Sequence, residues 1–168
     1  MNNDKGTVRG PAPTGLLRLL LRCPILLYRM HLGWLLGRRF ILLTHIGRKT
    51  GIPRHTVLEA VSYDSSNHCC VIASGWGEKA QWFRNIIDNP DVVVTLGTHT
   101  HKARARRMDK NEAEHELRDY ARRHPWSMKQ LNKTMLGKPF HGKDEDFQQL
   151  AVQVPLVELQ FMDVSQAS

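Results

Sequence analysis

Six stretches of the chain carry the apolar, β-branched character of strands, and polar or helix-periodic segments separate them. They are "RFILLTH" (39–45), "RHTVLEAVSY" (54–63), "HCCVIAS" (68–74), "DVVVTL" (91–96), "HKARARRM" (101–108) and "PLVELQF" (155–161). Between the second and third, "DSSN" is turn chemistry, because Asp, Ser and Asn bond their own backbone. In "HKARARRM", alanine alternates with cations as on a half-solvated strand. A short helix is predicted after "SGWGEKAQ", with Trp82, Phe83, Ile86 and Ile87 spaced for one buried face and Asn89-Pro90 as its end. Asp109 and Glu112 stand at capping-box spacing before a helix that runs to about Arg123, where His124-Pro125 stops it. "WSMKQLNKTMLG" and "KDEDFQQLAV" read as two further short helices. Strands joined mainly by hairpins, with helices inserted or appended, argue for an antiparallel α+β domain whose six strands close into a small barrel.

The first 36 residues behave differently. "MNNDKGTVRGPAPTG" is polar and rich in Gly and Pro, so residues 1–13 read as a disordered tail with no secretory signal. Residues 16–36 are apolar for about the length of a membrane span. Arg18, Arg22, Arg29 and His31 interrupt them, however, and Pro24 breaks them. A central Arg costs roughly 2.5–3.5 kcal/mol on insertion scales, which disfavours a spanning helix. Arg18, Arg22 and Arg29 share one helical face. The expectation is a helical segment over 14–36 that packs on the domain or a twin subunit, or lies on anionic lipid. The domain itself is placed at 37–163, with a tail at 164–168.

A chain of 168 residues fits one domain with a sizeable core, and 41% hydrophobic with 24% charged residues excludes a disordered protein. The net charge of +8 changes the picture more. It favours a polyanionic partner: a phosphorylated cofactor, a nucleic acid or an acidic membrane. The cysteines Cys23, Cys69 and Cys70 are odd in number, and the adjacent pair is poorly placed to bridge itself. Core thiols in a reducing cytoplasm are expected.

Two stretches carry candidate chemistry. In "GRKTGIPR" (47–54), Gly47 and Gly51 permit positive φ and could turn backbone N–H groups outward, while Arg48, Lys49 and Arg54 supply cations suited to phosphate. It is not a Walker loop, since the G-x-x-x-x-G-K-[ST] order is absent. A merely solvated cationic turn is the alternative. In "ASGWGEKAQWF", Gly75 and Gly77 bracket Trp76 at a strand-to-helix corner where a planar ligand could approach the backbone. Lys79 stands near the helix start, where the dipole does not favour a cation. A tight turn around a packed Trp is the alternative here. Nine histidines raise the question of metal, but His99 and His101 lack Cys, Asp or Glu at ligand spacing, so no metal is assigned. No G-x-S-x-G motif supports a serine triad. The basic strand lacks the interleaved aromatics that single-strand nucleic acid would stack on.

"LLTHIGRKTGIPRHTVLEAV" followed by "VIASGWGEKAQWFRNIIDNPDVVV" resembles the deazaflavin-dependent nitroreductase family, across about residues 35–125. These are split β-barrel oxidoreductases that use coenzyme F420. The resemblance implies that Arg48, Lys49 and Arg54 bind the coenzyme's phosphodiester and glutamate tail. It also implies that Ala73, Ser74, Gly75, Trp76 and Gly77 line the ring through their backbone, with Lys79 near the phosphate. Trp82 and Phe83 are expected to pack the helix on the barrel, with an edge towards the cofactor. The implied chemistry is hydride transfer to a quinone, an activated alkene or a nitro compound. The best-known members carry substrate-pocket tyrosines just after a proline, whereas this chain has "HPWSMKQL" with His124, Trp126 and Ser127. The proton donor is therefore expected to be Ser74, His124 or water. FMN in place of the deazaflavin, a carrier without turnover, and a basic nucleic-acid or lipid-surface protein are the alternatives. A cytoplasmic homodimer, peripheral to a membrane if 16–36 meets lipid, completes the expectation.

Overall fold

Residues 40–162 are described by the computed structural model, Thr134 by its backbone alone. The tail, the helical segment of 14–36, Cys23 and the residues after Met162 lie outside them. The strands are β1 (Phe40–Ile46), β2 (Pro53–Asp64), β3 (Cys69–Ala73), β4 (Asp91–Leu96), β5 (His99–Arg107) and β6 (Leu156–Phe161). The helices are α1 (Gln81–Asp88), α2 (Lys110–Arg123), α3 (Pro125–Leu136) and α4 (Asp144–Gln153). Every strand pair is antiparallel, and the order β1-β2-β3-β6-β5-β4 closes through β4 on β1. The α+β split-barrel expectation is met.

Alternation sorts side chains to two cores, because successive strand residues point to opposite faces. Inside the barrel lie Ile41, Leu43, Cys70, Ile72, Val94, Ala103, Val157 and Leu159. Outside it, Val61, Val71 and Leu156 pack under Leu117 and Tyr120 of α2, Met128 of α3 and Phe147 and Leu150 of α4. An irregularity between Ala60 and Ser62 shifts the β2–β3 register as β2 passes between these cores. Cys70 thus joins the barrel core, whereas its neighbour Cys69, on the other face, is only half-buried. The local signals hold: Asp109 Oδ1 accepts from Glu112 N at 2.9 Å while Glu112 Oε2 accepts from Asp109 N at 2.8 Å. Asp64 likewise closes its turn by accepting from Ser66 N and Asn67 N.

Helix α1 plugs one end of the barrel, with Trp82, Phe83 and Ile86 in its core. The expected buried face needs a correction. Ile87 is 52% exposed, and Asn85 is buried in its place at 6%. At about 100° per residue, the buried arc centres on Trp82 and Ile86, so Asn85 falls on its near flank and Ile87 beyond its far one. That inward turn of Asn85 builds the site.

Candidate functional site

The β1–β2 hairpin ends beside α1, and a groove of about 400 Å³ opens between them. Arg48, Lys49 and Arg54 line it together with Trp82, Gln81, Asn85, His45, His55 and Thr56. The three cations singled out in the sequence therefore meet in one concavity, and Trp82 from α1 forms part of its wall. Trp82 is also packed in the barrel end, edge to face with Phe83 at 5.9 Å.

The turn is built differently from the sequence expectation. Gly51 has φ of +65°, but Gly47 does not adopt positive φ. What Gly47 supplies is space, since a Cβ there would meet Thr50 Oγ1 at 2.8 Å. Four of the turn's backbone N–H groups are also spent within the fold instead of facing a ligand. Gly47 N donates to Ile52 O, Thr50 N and Gly51 N donate to Gly47 O, and Arg48 N donates to Asn85 Oδ1. A six-residue connection must satisfy its own buried donors, so an anion in this groove would be held chiefly by side chains.

Arg48 is the organised cation. Its Nη1 donates to Gln81 Oε1 at 3.0 Å and to Asn85 Oδ1 at 3.1 Å. Both acceptors are uncharged amides, so its charge is oriented without being neutralised. Among the described residues none of Arg48, Lys49 and Arg54 has a carboxylate within ion-pair distance. The basic strand β5 differs. Arg104 pairs with Asp91 at 3.0 Å, Arg106 with Glu112 at 2.9 Å and Glu158 at 3.2 Å, and Arg107 with Glu78 at 2.6 Å. The three turn cations thus keep their charge uncompensated among the described residues, as binding a phosphate and carboxylates would require.

The second stretch lies apart from this groove. Ala73, Ser74, Gly75, Trp76, Gly77 and Lys79 do not line it. Ser74 is fully buried, and its hydroxyl donates to Gly77 O at 2.7 Å while Gly77 N donates back to Ser74 O at 2.8 Å. The Ser74 proton is thereby spent on closing the corner, where Gly77 has φ of +59°. Trp76 is 55% exposed at the tip, and the Gly75 backbone passes beside Met135 of α3, whose Cε would be 3.8 Å from a Cβ at Gly75. Lys79 is exposed in a 3-10 turn before α1. His124 is exposed where α2 meets α3, with its ring 5.1 Å from that of Tyr120.

His45, Gln81, Asn85 and Thr56 escaped the sequence reading. His45 lies on an apolar strand with no partner near in sequence, since Asn85 is forty positions away. Among the described residues no cluster of His, Cys, Asp or Glu could hold a metal ion, and no helix is long and apolar enough to cross a membrane.

Known proteins match this picture. A structure described as an F420-H2 dependent reductase is 19% identical, covers 74% of this chain and 96% of its own, and superposes with a TM-score of 0.51. A putative pyridoxamine 5'-phosphate oxidase from Listeria innocua is 13% identical over 82% of this chain and 94% of its own, with a TM-score of 0.51. A putative 5-nitroimidazole antibiotic resistance protein from Bacteroides thetaiotaomicron is 13% identical over 80% of each chain, with a TM-score of 0.52. At these identities the likeness shows a shared barrel and no more. The family assignment comes from sequence: the model of the F420H(2)-dependent quinone reductases matches residues 28–135, which contain the cationic turn, the glycine corner and α1. The chain belongs to the F420H(2)-dependent quinone reductase family and is a deazaflavin-dependent oxidoreductase.

Proposed function

We propose that this protein reduces a quinone with reduced coenzyme F420, and that the groove beside the hairpin turn holds the coenzyme's phosphodiester and glutamate tail. The observation that carries the reading is the set of three cations in one concavity, none neutralised by a carboxylate among the described residues. When bound, the reduced deazaflavin supplies the hydride. The protein orients it and excludes water. Arg48 gives a fixed fork for a phosphate oxygen, while Lys49 and Arg54 give mobile charges at the rim. The glycine corner, closed by Ser74 and Gly77, presents Ala73, Gly75 and Trp76 to the ring as backbone and as a flat wall. Ser74 acts there as a brace. With its proton on the Gly77 carbonyl, protonation of the acceptor falls to His124 or to water. Activated alkenes and nitro compounds are further acceptors of the same chemistry.

The experiment is a fluorescence titration of the protein with oxidised coenzyme F420 and, in parallel, with FMN, followed by turnover of the reduced coenzyme against a quinone series. Tight F420 binding with weak FMN binding and quinone-dependent reoxidation is expected. Preference for FMN would keep the barrel and overturn the cofactor. Binding of F420 without turnover of any acceptor would leave a carrier. Homodimer formation and a lipid contact through residues 16–36 belong to this reading, on sequence grounds, and gel filtration and vesicle flotation test them.

A further inference from the structure

We propose that His45 is a positioning residue for the coenzyme's anionic tail, acting through Asn85 to set the Arg48 guanidinium on the groove wall. The proposal rests on the deazaflavin reading of the groove. Asn85 sits at the centre of the network. Its Oδ1 accepts from Arg48 N at 3.2 Å and from Arg48 Nη1 at 3.1 Å. Two donors converge on that atom, so it must be the amide oxygen. The amide nitrogen therefore faces His45 Nδ1, 3.1 Å away. Nδ1 must accept, which places the ring proton on Nε2, 3.3 Å from Thr56 Oγ1.

The hydrogen bonds thus run one way: Arg48 to Asn85, Asn85 to His45, His45 to Thr56. His45 and Asn85 are 3% and 6% exposed, so an unmatched donor there would be costly. If Nδ1 carried a proton it would face the Asn85 amide N–H₂. Relief would require the amide to turn over, presenting N–H₂ to the Arg48 guanidinium and releasing it. The acceptor nitrogen of His45 therefore decides which end of the amide meets Arg48. Arg54 and His55 on β2 oppose a charge on His45, and Arg48 and Lys49 share its groove. Burial pushes the imidazole below its ordinary range in the same direction, and outweighs a hydrogen bond with the Ile46 backbone that favours the charged ring. His45 and Arg48 stand three residues apart, but Asn85, which joins them, lies 40 and 37 positions away. The barrel end brings them together.

The test compares two ligands: coenzyme F420, and the deazaflavin nucleoside that lacks the phosphate and glutamates. On that reading Arg48 meets the tail and not the ring, so the relay should affect F420 alone. Wild-type protein is expected to bind F420 more tightly than the nucleoside. His45→Leu should weaken F420 about tenfold and leave the nucleoside within about twofold. His45→Asn, which keeps an acceptor near the Nδ1 position, should recover most of the loss. Combined with Arg48→Ala, His45→Leu should add nothing, because both act through one contact. Equal weakening of both ligands, no weakening of F420, or full additivity with Arg48→Ala would overturn the proposal. If wild-type protein holds F420 no more tightly than the nucleoside, the tail groove itself is wrong, and that failure shows before any variant is made. Should His45→Leu not fold, imidazole ¹⁵N shifts of the wild type decide. Protonated Nε2 with bare Nδ1 supports the relay, and the opposite tautomer overturns it.

Discussion

Replacement of Arg48 by Ala should cost more cofactor affinity than replacement of either other cation in the turn. Arg48 is half-buried, and two amide oxygens 3.0 and 3.1 Å from its Nη1 hold it in place. A preorganised, charge-assisted hydrogen bond of this kind contributes about 1.5–3 kcal/mol, or roughly tenfold to a hundredfold in Kd. Lys49 and Arg54 are exposed. A unit charge at about 4 Å in bulk water contributes about 1 kcal/mol before screening, and salt at 0.15 M shortens its reach to about 8 Å. Each should therefore cost only about twofold to fivefold, and most of that should vanish in high salt. Folding should survive Arg48→Ala, because the main-chain N–H of residue 48 still donates to Asn85 Oδ1 and no buried acceptor is stranded. Fluorescence titration of the three Ala variants with F420, at about 50 and about 500 mM salt, measures the ranking. Melting curves check the fold. If Arg48→Ala binds within about twofold of wild type, or all three variants lose equally and with the same salt dependence, the oriented-fork reasoning fails.

Other outcomes follow from the same structure. Asp109→Ala removes half of the capping box of α2 and should cost about 1 kcal/mol, a fall of about 2–4 °C in Tm; an unchanged Tm would show that the cap is redundant. Leu117, fully buried between α2 and the barrel wall, should cost about 2–5 kcal/mol on conversion to Ala, read by chemical denaturation, and a loss below about 1 kcal/mol would contradict a packed outer core. Burial holds His45 below its ordinary value of 6.5, so the unfolded chain takes up this proton first. The stability that His45 contributes is then complete above about pH 6.5 and declines as pH falls below it; Tm should drop between pH 7.5 and 5.5 by more in wild type than in His45→Asn, and parallel curves would refute this. Burial also pushes the Cys70 thiol up to about 12, so alkylation of the folded protein at pH 8, mapped by mass spectrometry, should leave Cys70 unmodified until denaturant is added. Labelling at a free-thiol rate would place Cys70 outside the barrel core.

Much of the architecture could be read along the chain because its signals are local. Strand β4 matches its expected bounds, and β5 starts only two residues early, at His99. The capping box of Asp109 and the Asp64 turn work within three residues of sequence, where backbone geometry allows few alternatives. The cations of the turn were visible for the same reason. They cluster among glycines within eight residues, and charge density survives any fold. The face of α1 was misjudged because apolar spacing cannot tell which flank of a helix meets a neighbour. Ile87 has the apolar side chain, yet Asn85 has the position beside the hairpin.

By itself the sequence determined the strands, the helices with their caps, the barrel class and the cationic turn, and its motifs carried the family. These depend on residue type and short spacing. Tertiary structure decided that the turn faces α1, that the β5 arginines are paired while among the described residues the turn cations are not, that Ser74 closes the glycine corner, and that His45, Asn85 and Arg48 share one hydrogen-bonded chain. Apart from the Ser74–Gly77 contact, which is local, those facts depend on pairs such as Arg48–Asn85 or Arg106–Glu158, separated by 37 and 52 residues. A hydrogen bond falls off within an ångström of its ideal length. Only closure of the barrel and insertion of α1 bring such partners within that range.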